Sequence, residues 1–535
     1  MSGNDVDSRS AVDAGDAVKM VDAEPGVNGA PGIEDVERAT ESALRGGDPT
    51  RWPDKLPVRD RLNVLFDPGS FVEDGLLASA ANGDAALPAD GVITGVGRVE
   101  GRPVAVIAHD FTVKAGSWGE LTCEKQIRIL ERADRDLLPV VYLVDSAGGR
   151  LTDQMGFFPG RRGASAIFNM QIKLSGRVPQ LCCLHGPSAA GGAYMPAFCD
   201  WVGMVNGNAS MYLASPRVAE KVTGERTTLE AMGGAMMHAE VSGCGDEVFD
   251  EDWEAVAAAR LLLSYLPQDF RNPPAKAEPR EPEKSEWPDG LIPINPNLSY
   301  DVREVIDRFV DGGTFFEIKA RWAQEMVTGL ARLDGRVIGI IANQPQVRSG
   351  AIFVDSADKA ARFISLCDAF NIPLLFLHDV PGFMVGVEVE RQGIIRHGAK
   401  MLAAMASAEV PKYSVVLRKT YAAGFYAMCA PGFEPRATLA LPTATIGPMS
   451  AEASVNAVYA NKIAAIEDET ERAAFVAARI VEQRADINLL RMAGDLIVDA
   501  VVQPDRLRGE LAARMVDSDN WSRQPGRRHH LISPV

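Results

Sequence analysis

The apolar positions of this chain gather into six short runs rich in Val, Ile and Leu, and the runs come as two sets of three. VAVIAHDFTV (104–113), PVVYLVD (139–145) and PQLCCLHG (179–186) make the first set; VIGIIANQ (337–344), PLLFLHD (373–379) and KYSVVLRK (412–419) make the second. Uninterrupted apolar runs of this length read as strands buried on both faces. Between them lie stretches of helical periodicity at 119–133 and 356–370, the second with Ser356 placed to cap its N-terminus. Strand then helix, repeated, predicts stacked parallel β-α units with Gly-rich loops at the strand ends, an α/β fold.

The two sets also keep register. Gly101-Arg102-Pro103-Val104 and Gly335-Arg336-Val337-Ile338 lie 234 positions apart, as do the runs that begin at Pro139 and Pro373. Val178-Pro179 recurs 232 positions on as Val410-Pro411, and the same offset lays Ala190-Gly191-Gly192-Ala193-Tyr194 on Ala422-Ala423-Gly424-Phe425-Tyr426. The chain therefore reads as an internal duplication. A stretch with eight prolines and several charges, 267–297, separates the halves as an extended linker. The expected division is a disordered acidic tail at 1–30, one domain at 31–266, the linker, and a second domain at 298–535. With 535 residues the chain is too long for one hydrophobic core.

Charge and cysteine content narrow the function. A net charge of −17 argues against nucleic acid or an anionic membrane as partner. No apolar run is long enough to span a bilayer, and the first thirty residues do not resemble a targeting signal, so the expected location is the cytoplasm. The seven cysteines show no C-x-x-C pair and sit mostly in apolar runs, which predicts buried free thiols rather than disulfides or a zinc site. No metal is expected.

Candidate chemistry concentrates in GPSAAGGAY (186–194), between a strand and a short apolar helix that Pro196 interrupts. Adjacent glycines there let a ligand approach the backbone and expose N–H groups at the positive end of a helix, an arrangement suited to an oxyanion. A turn whose glycines serve only packing is the alternative. The matching loop at Ala423-Gly424 points to two such holes, one for each of two reacting partners. Both Gly192 and Gly424 are expected to accept a larger side chain in the fold while losing the reaction. Glu120 and Glu124, at i and i+4, have the spacing of a paired-carboxylate site but read as solvated surface charges. Asp145 and Asp379 read as loop or capping residues, His185 and His378 as hydrogen-bonded core imidazoles, and His529 and His530 as part of a frayed basic tail. The GVGRVEG segment (95–101) reads as a hairpin, and no nucleophile elbow or Walker loop is present. Arg161 and Arg162, after Phe157-Phe158-Pro159-Gly160, either meet a phosphorylated ligand or face solvent.

The segments VDSAGGRL, VPQLCCLHGPSAAGGAYMPA, CDAFNIPLLFLHDVPGFMVG, GIIRHGAKML and LRKTYAAGFYAM together resemble the β (carboxyltransferase) subunits of biotin-dependent acyl-CoA carboxylases of the propionyl-CoA and methylcrotonyl-CoA type. The resemblance runs from about Pro53 to the C-terminus. It implies two tandem crotonase-like domains, the first for acyl-CoA and the second for carboxybiotin, and transfer of CO2 from biotin to the acyl group. On these residues it implies that the N–H groups of Gly191 and Gly192 hold the thioester oxygen and those of Ala423 and Gly424 the ureido oxygen of biotin. Phe425 and Tyr426 then bound the acyl group, and Arg161 and Arg162 are candidates for the CoA phosphates. It further implies a hexamer built as a trimer of dimers, with a biotin carboxylase and biotin carboxyl carrier partner. The stretch EAMGGAMMHAE (230–240) carries no lysine, so biotin is expected on another polypeptide. A biotin-dependent decarboxylase subunit and a crotonase hydratase or isomerase remain the alternative enzymes, and a non-catalytic scaffold the alternative class. The acyl group is expected to be longer than acetyl, with 3-methylcrotonyl-CoA first and propionyl-CoA second.

Overall fold

The computed structural model describes residues 32–79, 87–486, 488–522, 530, 532 and 533. The expected tail at 1–30 and His529 lie outside them. Each half folds its apolar runs into one sheet with the same strand order. In the first, Val92–Val99 and Arg102–His109 form an antiparallel hairpin, after which Val140–Ser146, Gln180–Ala189, Trp201–Val205 and Glu247–Phe249 add in parallel. In the second, the hairpin Met326–Leu333 and Arg336–Asn343 is extended in parallel by Leu374–Val380, Lys412–Tyr421, Ala437–Ala440 and Ala500–Val501. Both hairpins close through two residues with positive φ, Glu100-Gly101 at 51° and 77° and Asp334-Gly335 at 52° and 74°. That pair of left-handed residues matches the twist of the flanking strands.

The duplication extends to backbone irregularities. Left-handed residues recur at Ala89 and Ala323, Lys114 and Arg348, Leu137 and Asn371, and Ala190 and Ala422. The parallel register shifts between Val144 and Ser146, and again between His378 and Val380. Asp145 and Asp379 occupy those two shifts, fully buried and ion-paired. They are charge centres inside the sheet, not the loop or capping residues expected, because the bulge turns each carboxylate towards cations brought by other segments.

The two equivalent helices are Glu120–Asp136 and Val354–Ala369. Ser356 lies in the first turn of the second rather than capping it: its Oγ accepts the N–H of Phe353 at 2.7 Å. Thr122 does the same for Gly119 at 3.1 Å. A hydroxyl at the third helical position reaching back to the preceding backbone is one arm of a capping box, and it starts each helix earlier than a cap would. One further pair is diagnostic. Lys125 donates to the carbonyls of Ala89 and Val92, and Lys359 donates to those of Lys319 and Trp322, so each buried ammonium satisfies a left-handed turn.

The halves do not keep separate cores. One apolar cluster contains Trp201, Leu263 and Tyr265 from the first and Ile318, Leu330 and Phe363 from the second. Polar contacts seal the seam: the buried Lys319 ammonium sits 3.2 Å from Asp246, and the Tyr265 hydroxyl donates to the Thr314 carbonyl at 2.8 Å. The Pro-rich stretch has no helix or strand between Tyr265 and Val302 and is strapped to the second half. Ala277 donates to the Gly335 carbonyl at 2.9 Å, and Arg418 Nη1 donates to the carbonyls of Pro293, Asn295 and Leu298. The C-terminal segment is docked rather than frayed where it is described: His530 Nε2 lies 2.9 Å from Asp368, and Ile532 is buried. Six cysteines are buried as expected, whereas Cys244 is exposed. No described helix is long and apolar enough to cross a membrane.

The core imidazoles are fully buried. His378 Nε2 is hydrogen-bonded with the Ser414 hydroxyl at 2.7 Å, and His109 Nε2 accepts the Trp118 indole N–H at 3.0 Å. Burial holds the imidazole of His378 down at about 3 and that of His109 at about 4. A folded value below the unfolded one means stability that is complete above about pH 6.5 and is lost as pH falls towards the folded value. His378→Gln loses the bond with Ser414 and is less stable at neutral pH by about 1–3 kcal/mol. Because the variant has one fewer buried imidazole to protonate, its deficit shrinks by about 1.4 kcal/mol per pH unit as acid is added. Urea midpoints at about pH 7.5 and about pH 5 check this; a deficit independent of pH contradicts it.

Candidate active site

The strand Gln180–Ala189 ends in a single left-handed residue, Ala190 with φ of 53°, and then turns into Ala190–Ala193 and the four-residue helix Tyr194–Ala197. The strand Lys412–Tyr421 ends the same way, at Ala422 with φ of 51°, before the helix Ala422–Ala427. An alanine in this conformation costs about 1–2 kcal/mol, so the sharp corner is imposed by its surroundings. Its effect is to present the first-turn N–H groups of Gly191 and Gly192, and of Ala423 and Gly424, where no intrahelical acceptor exists. Ser188 Oγ donates to the Gly192 carbonyl at 2.9 Å and fixes that end of the turn.

The surroundings of the loops differ. Gly191 is exposed, and a Cβ there would meet nothing within 4 Å; at Gly192 it would come no nearer than 3.6 Å, to Ser188 Oγ. Trp118, Phe168, Tyr194 and Phe198 pack in a chain of ring contacts beside this loop. Ala423 is exposed while Gly424 is buried, and a Cβ on Gly424 would lie 2.9 Å from the Gly382 Cα. Gly424 is therefore required by packing, and the expectation that it accepts a side chain as readily as Gly192 does not hold.

A cleft of roughly 940 Å³ opens over the second loop, between Ala422-Ala423, Gly382-Phe383, Ser349, Met449-Ser450 and the strap residues Asn295–Ser299. Arg418 and Lys419 line it as well. Arg418 Nε lies 2.9 Å from Asp379 Oδ2, and Lys419 Nζ lies 3.6 Å from Oδ1. Burial pushes the Asp379 carboxyl up and the Lys419 ammonium down from their ordinary values, and each charge opposes the shift of the other. None of Gly191, Gly192, Arg161 or Arg162 lines this cleft.

The other candidates are placed as follows. Phe425 is half-buried, its ring 6.0 Å from His378, and Tyr426 is 54% exposed beside it. Arg161 is exposed. Arg162 is held by Glu124 at 2.5 Å and Glu131 at 2.8 Å, which raises its own basicity. Glu124 is thus the partner of an arginine, not half of a carboxylate pair with the exposed Glu120 and not a free solvated charge. Residue-type reasoning missed Arg418 and Lys419. The signal available was their place at the end of a buried strand, where two adjacent cations demand a carboxylate.

The carboxyl transferase domain model matches residues 53–532. The chain belongs to the carboxyl transferase family. It is an acyl-CoA carboxylase carboxyltransferase, as the resemblance implied, and its two sheets have the crotonase-type α/β fold. The uncharacterized carboxylase YngE of Bacillus subtilis is 54% identical over 508 residues, 94% of this chain and 99% of that protein. The propionyl-CoA carboxylase carboxyltransferase subunit of Haloferax mediterranei is 37% identical, over 94% of this chain and 98% of its own length. Among solved structures, a transcarboxylase 12S hexamer with methylmalonyl-coenzyme A and methylmalonic acid bound superposes with a TM-score of 0.86. It is 38% identical and covers 93% of this chain and 97% of its own. Among the described residues no cluster of His, Cys, Asp or Glu could hold a metal ion.

The contrast between the two glycines is testable in this carboxyltransferase. Gly192→Val has room in the fold and should leave the melting temperature close to wild type, while lowering turnover about a hundredfold by covering the loop N–H groups. Gly424→Ala should itself destabilise by about 1–3 kcal/mol, the usual cost of overpacking. Thermal melts and turnover measured side by side check both. A stable Gly424→Ala or a fully active Gly192→Val contradicts the reading.

Proposed function

We propose that the first half binds an acyl-CoA, with the Gly191 and Gly192 N–H groups on its thioester oxygen. The second half binds biotin from a partner polypeptide, with the Ala423 and Gly424 N–H groups on its ureido oxygen. The observation that carries this reading is the repeated corner: in both halves a left-handed alanine ends a buried strand and presents two backbone donors. Two donors preset around an oxygen that gains charge contribute about 3 kcal/mol each to the rate. Bound carboxybiotin would supply the carboxyl group and, as its nitrogen–carboxyl bond breaks, a basic ureido group able to take the proton from the α- or vinylogous carbon. The cleft over Ala422-Ala423 suits such a ring, being open and bounded by Phe383 and Met449. The chain then has to orient the two reactants and keep water from them, and the aromatic cluster beside Gly192 serves the second need.

Since no residue of the first loop lines the cleft over the second, the working site pairs the first half of one subunit with the second half of another. This reading is supported by the hexamer of the transcarboxylase relative and fits a trimer of dimers. Arg161 is the cation available to CoA phosphates, and Arg162 would have to leave Glu124 and Glu131 to join it. Phe425 and Tyr426 form the wall met by the acyl group, which favours a chain longer than acetyl, 3-methylcrotonyl before propionyl. The division at 31–266 and 298–535 then separates the acyl-CoA side from the biotin side.

The purified chain should decarboxylate malonyl- or methylmalonyl-CoA when free biotin is added and do nothing with ATP and bicarbonate. Carboxylation driven by ATP in the isolated chain would overturn the division of labour. With the biotin-bearing partner present, kcat/KM should rank 3-methylcrotonyl-CoA above propionyl-CoA and both above acetyl-CoA, each apolar carbon group discriminating by about 1–3 kcal/mol. A preference for acetyl-CoA defeats the aromatic wall.

A further inference from the structure

The duplication supplies an internal comparison for the cations under the two loops. In the first half Lys55 Nζ makes a 2.7 Å hydrogen bond to Asp145 and is covered by the Phe111 ring, whose centroid is 3.9 Å away. The space around it, bounded by Trp52, Phe111 and Asp145, is only about 20 Å³. That lysine is held between its carboxylate and a ring. In the second half Arg418 takes over the hydrogen bond to Asp379, and Lys419 stands 3.6 Å from the carboxylate, too far to donate to it. Lys419 is nonetheless 7% exposed, and it lines the 940 Å³ cleft. A buried ammonium carries three donors that need acceptors, and desolvation makes an unmatched one expensive. Ala422 and Ala423 line the same cleft.

We propose that Lys419 holds the carboxylate in transit, its ammonium taking the negative oxygen of a small carboxyl group while the loop at Ala423-Gly424 holds the ureido oxygen. The inference rests on the reading of the second loop given above and adds the anion site that reading lacks. The charged groups around Lys419 are Asp379 on the adjacent strand, Arg418 on its own strand and Glu452 across the cleft. These charges and that of Lys419 sum to zero, with Arg418 hydrogen-bonded to Asp379 and Lys419, 3.6 Å from the same carboxylate, lining the cleft. A singly charged carboxylate fits that ammonium. A phosphate, bulkier and doubly charged, would also meet Glu452.

Malonate and inorganic phosphate, titrated calorimetrically into the assembled full chain, serve as probes. Malonate should bind wild type, bind Lys419→Met about tenfold or more weakly, and recover in Lys419→Arg, with phosphate binding less well throughout. In biotin-dependent decarboxylation of malonyl-CoA, Lys419→Met should lower kcat about a hundredfold and leave KM for malonyl-CoA unchanged. Malonate binding unchanged in Lys419→Met, or phosphate binding as tightly as malonate, overturns it. Lys419→Arg keeps the charge and guards against a variant that fails to fold. Absence of biotin-dependent decarboxylation in the wild type would instead count against the proposed function, and the malonate titration would still decide the role of Lys419.

Discussion

Two carboxylates placed in the dry interior of the sheets, Asp145 and Asp379, constrain most of what surrounds them. Each sits at the bulge where a parallel strand slips register, with no solvent exposure. Removing the partner of such a charge typically costs about 3–5 kcal/mol, so cations must be delivered to both points. In the first half they come from outside the sheet: Lys55, and Arg61 on the helix Val58–Leu65. Room for them is made at Gly186, where a Cβ would fall 1.9 Å from an Asp145 oxygen. In the second half the equivalent strand position is Arg418, which carries the guanidinium to Asp379 itself. The N-terminal segment of the first half and the strap of the second are both held in place through this charge matching, since Arg61 also pairs with Asp252 and Arg418 also binds three strap carbonyls.

The duplicated corner and the unequal charge solutions beneath it make two related loops with different surroundings. Where the cations arrive from outside, they fill the space and the pocket above Asp145 nearly vanishes. Where the strand supplies Arg418, the adjacent Lys419 is left facing an open cleft. The corners themselves stay alike because a buried strand that must turn at once into a helix N-terminus has few conformations available, and a left-handed residue is one of them. The protein thus keeps the backbone donors in both halves and changes what lies under them.

The α/β class, the duplication and both loops were legible in the sequence, because period, offset and glycine placement are local quantities. Gly191-Gly192 was found through adjacent glycines at a strand-to-helix turn, Ala423-Gly424 through the register of the repeat, and the hairpin at 95–101 through its place between two strands. Asp145 and Asp379 were misread because a carboxylate ending a strand is usually at the surface, and the bulge that buries it leaves no mark on composition. Arg162 was read as meeting a ligand or facing solvent, and its partners, Glu124 and Glu131, lie on a helix 31 or more residues earlier. Gly424 seemed equivalent to Gly192 until packing distinguished them, since only Gly424 touches the Gly382 backbone. Long-range contacts decide each of these cases, and no window of sequence contains them.

The central claim is that each loop serves one reactant. Amide hydrogen exchange measured in the assembled chain, with acyl-CoA alone and with biotin alone, tests it most directly. The account predicts that acyl-CoA slows exchange at Gly191-Gly192 and leaves Ala423-Gly424 unchanged, and that biotin does the reverse. Protection of the same loop by both ligands, or of neither loop by either, would contradict it.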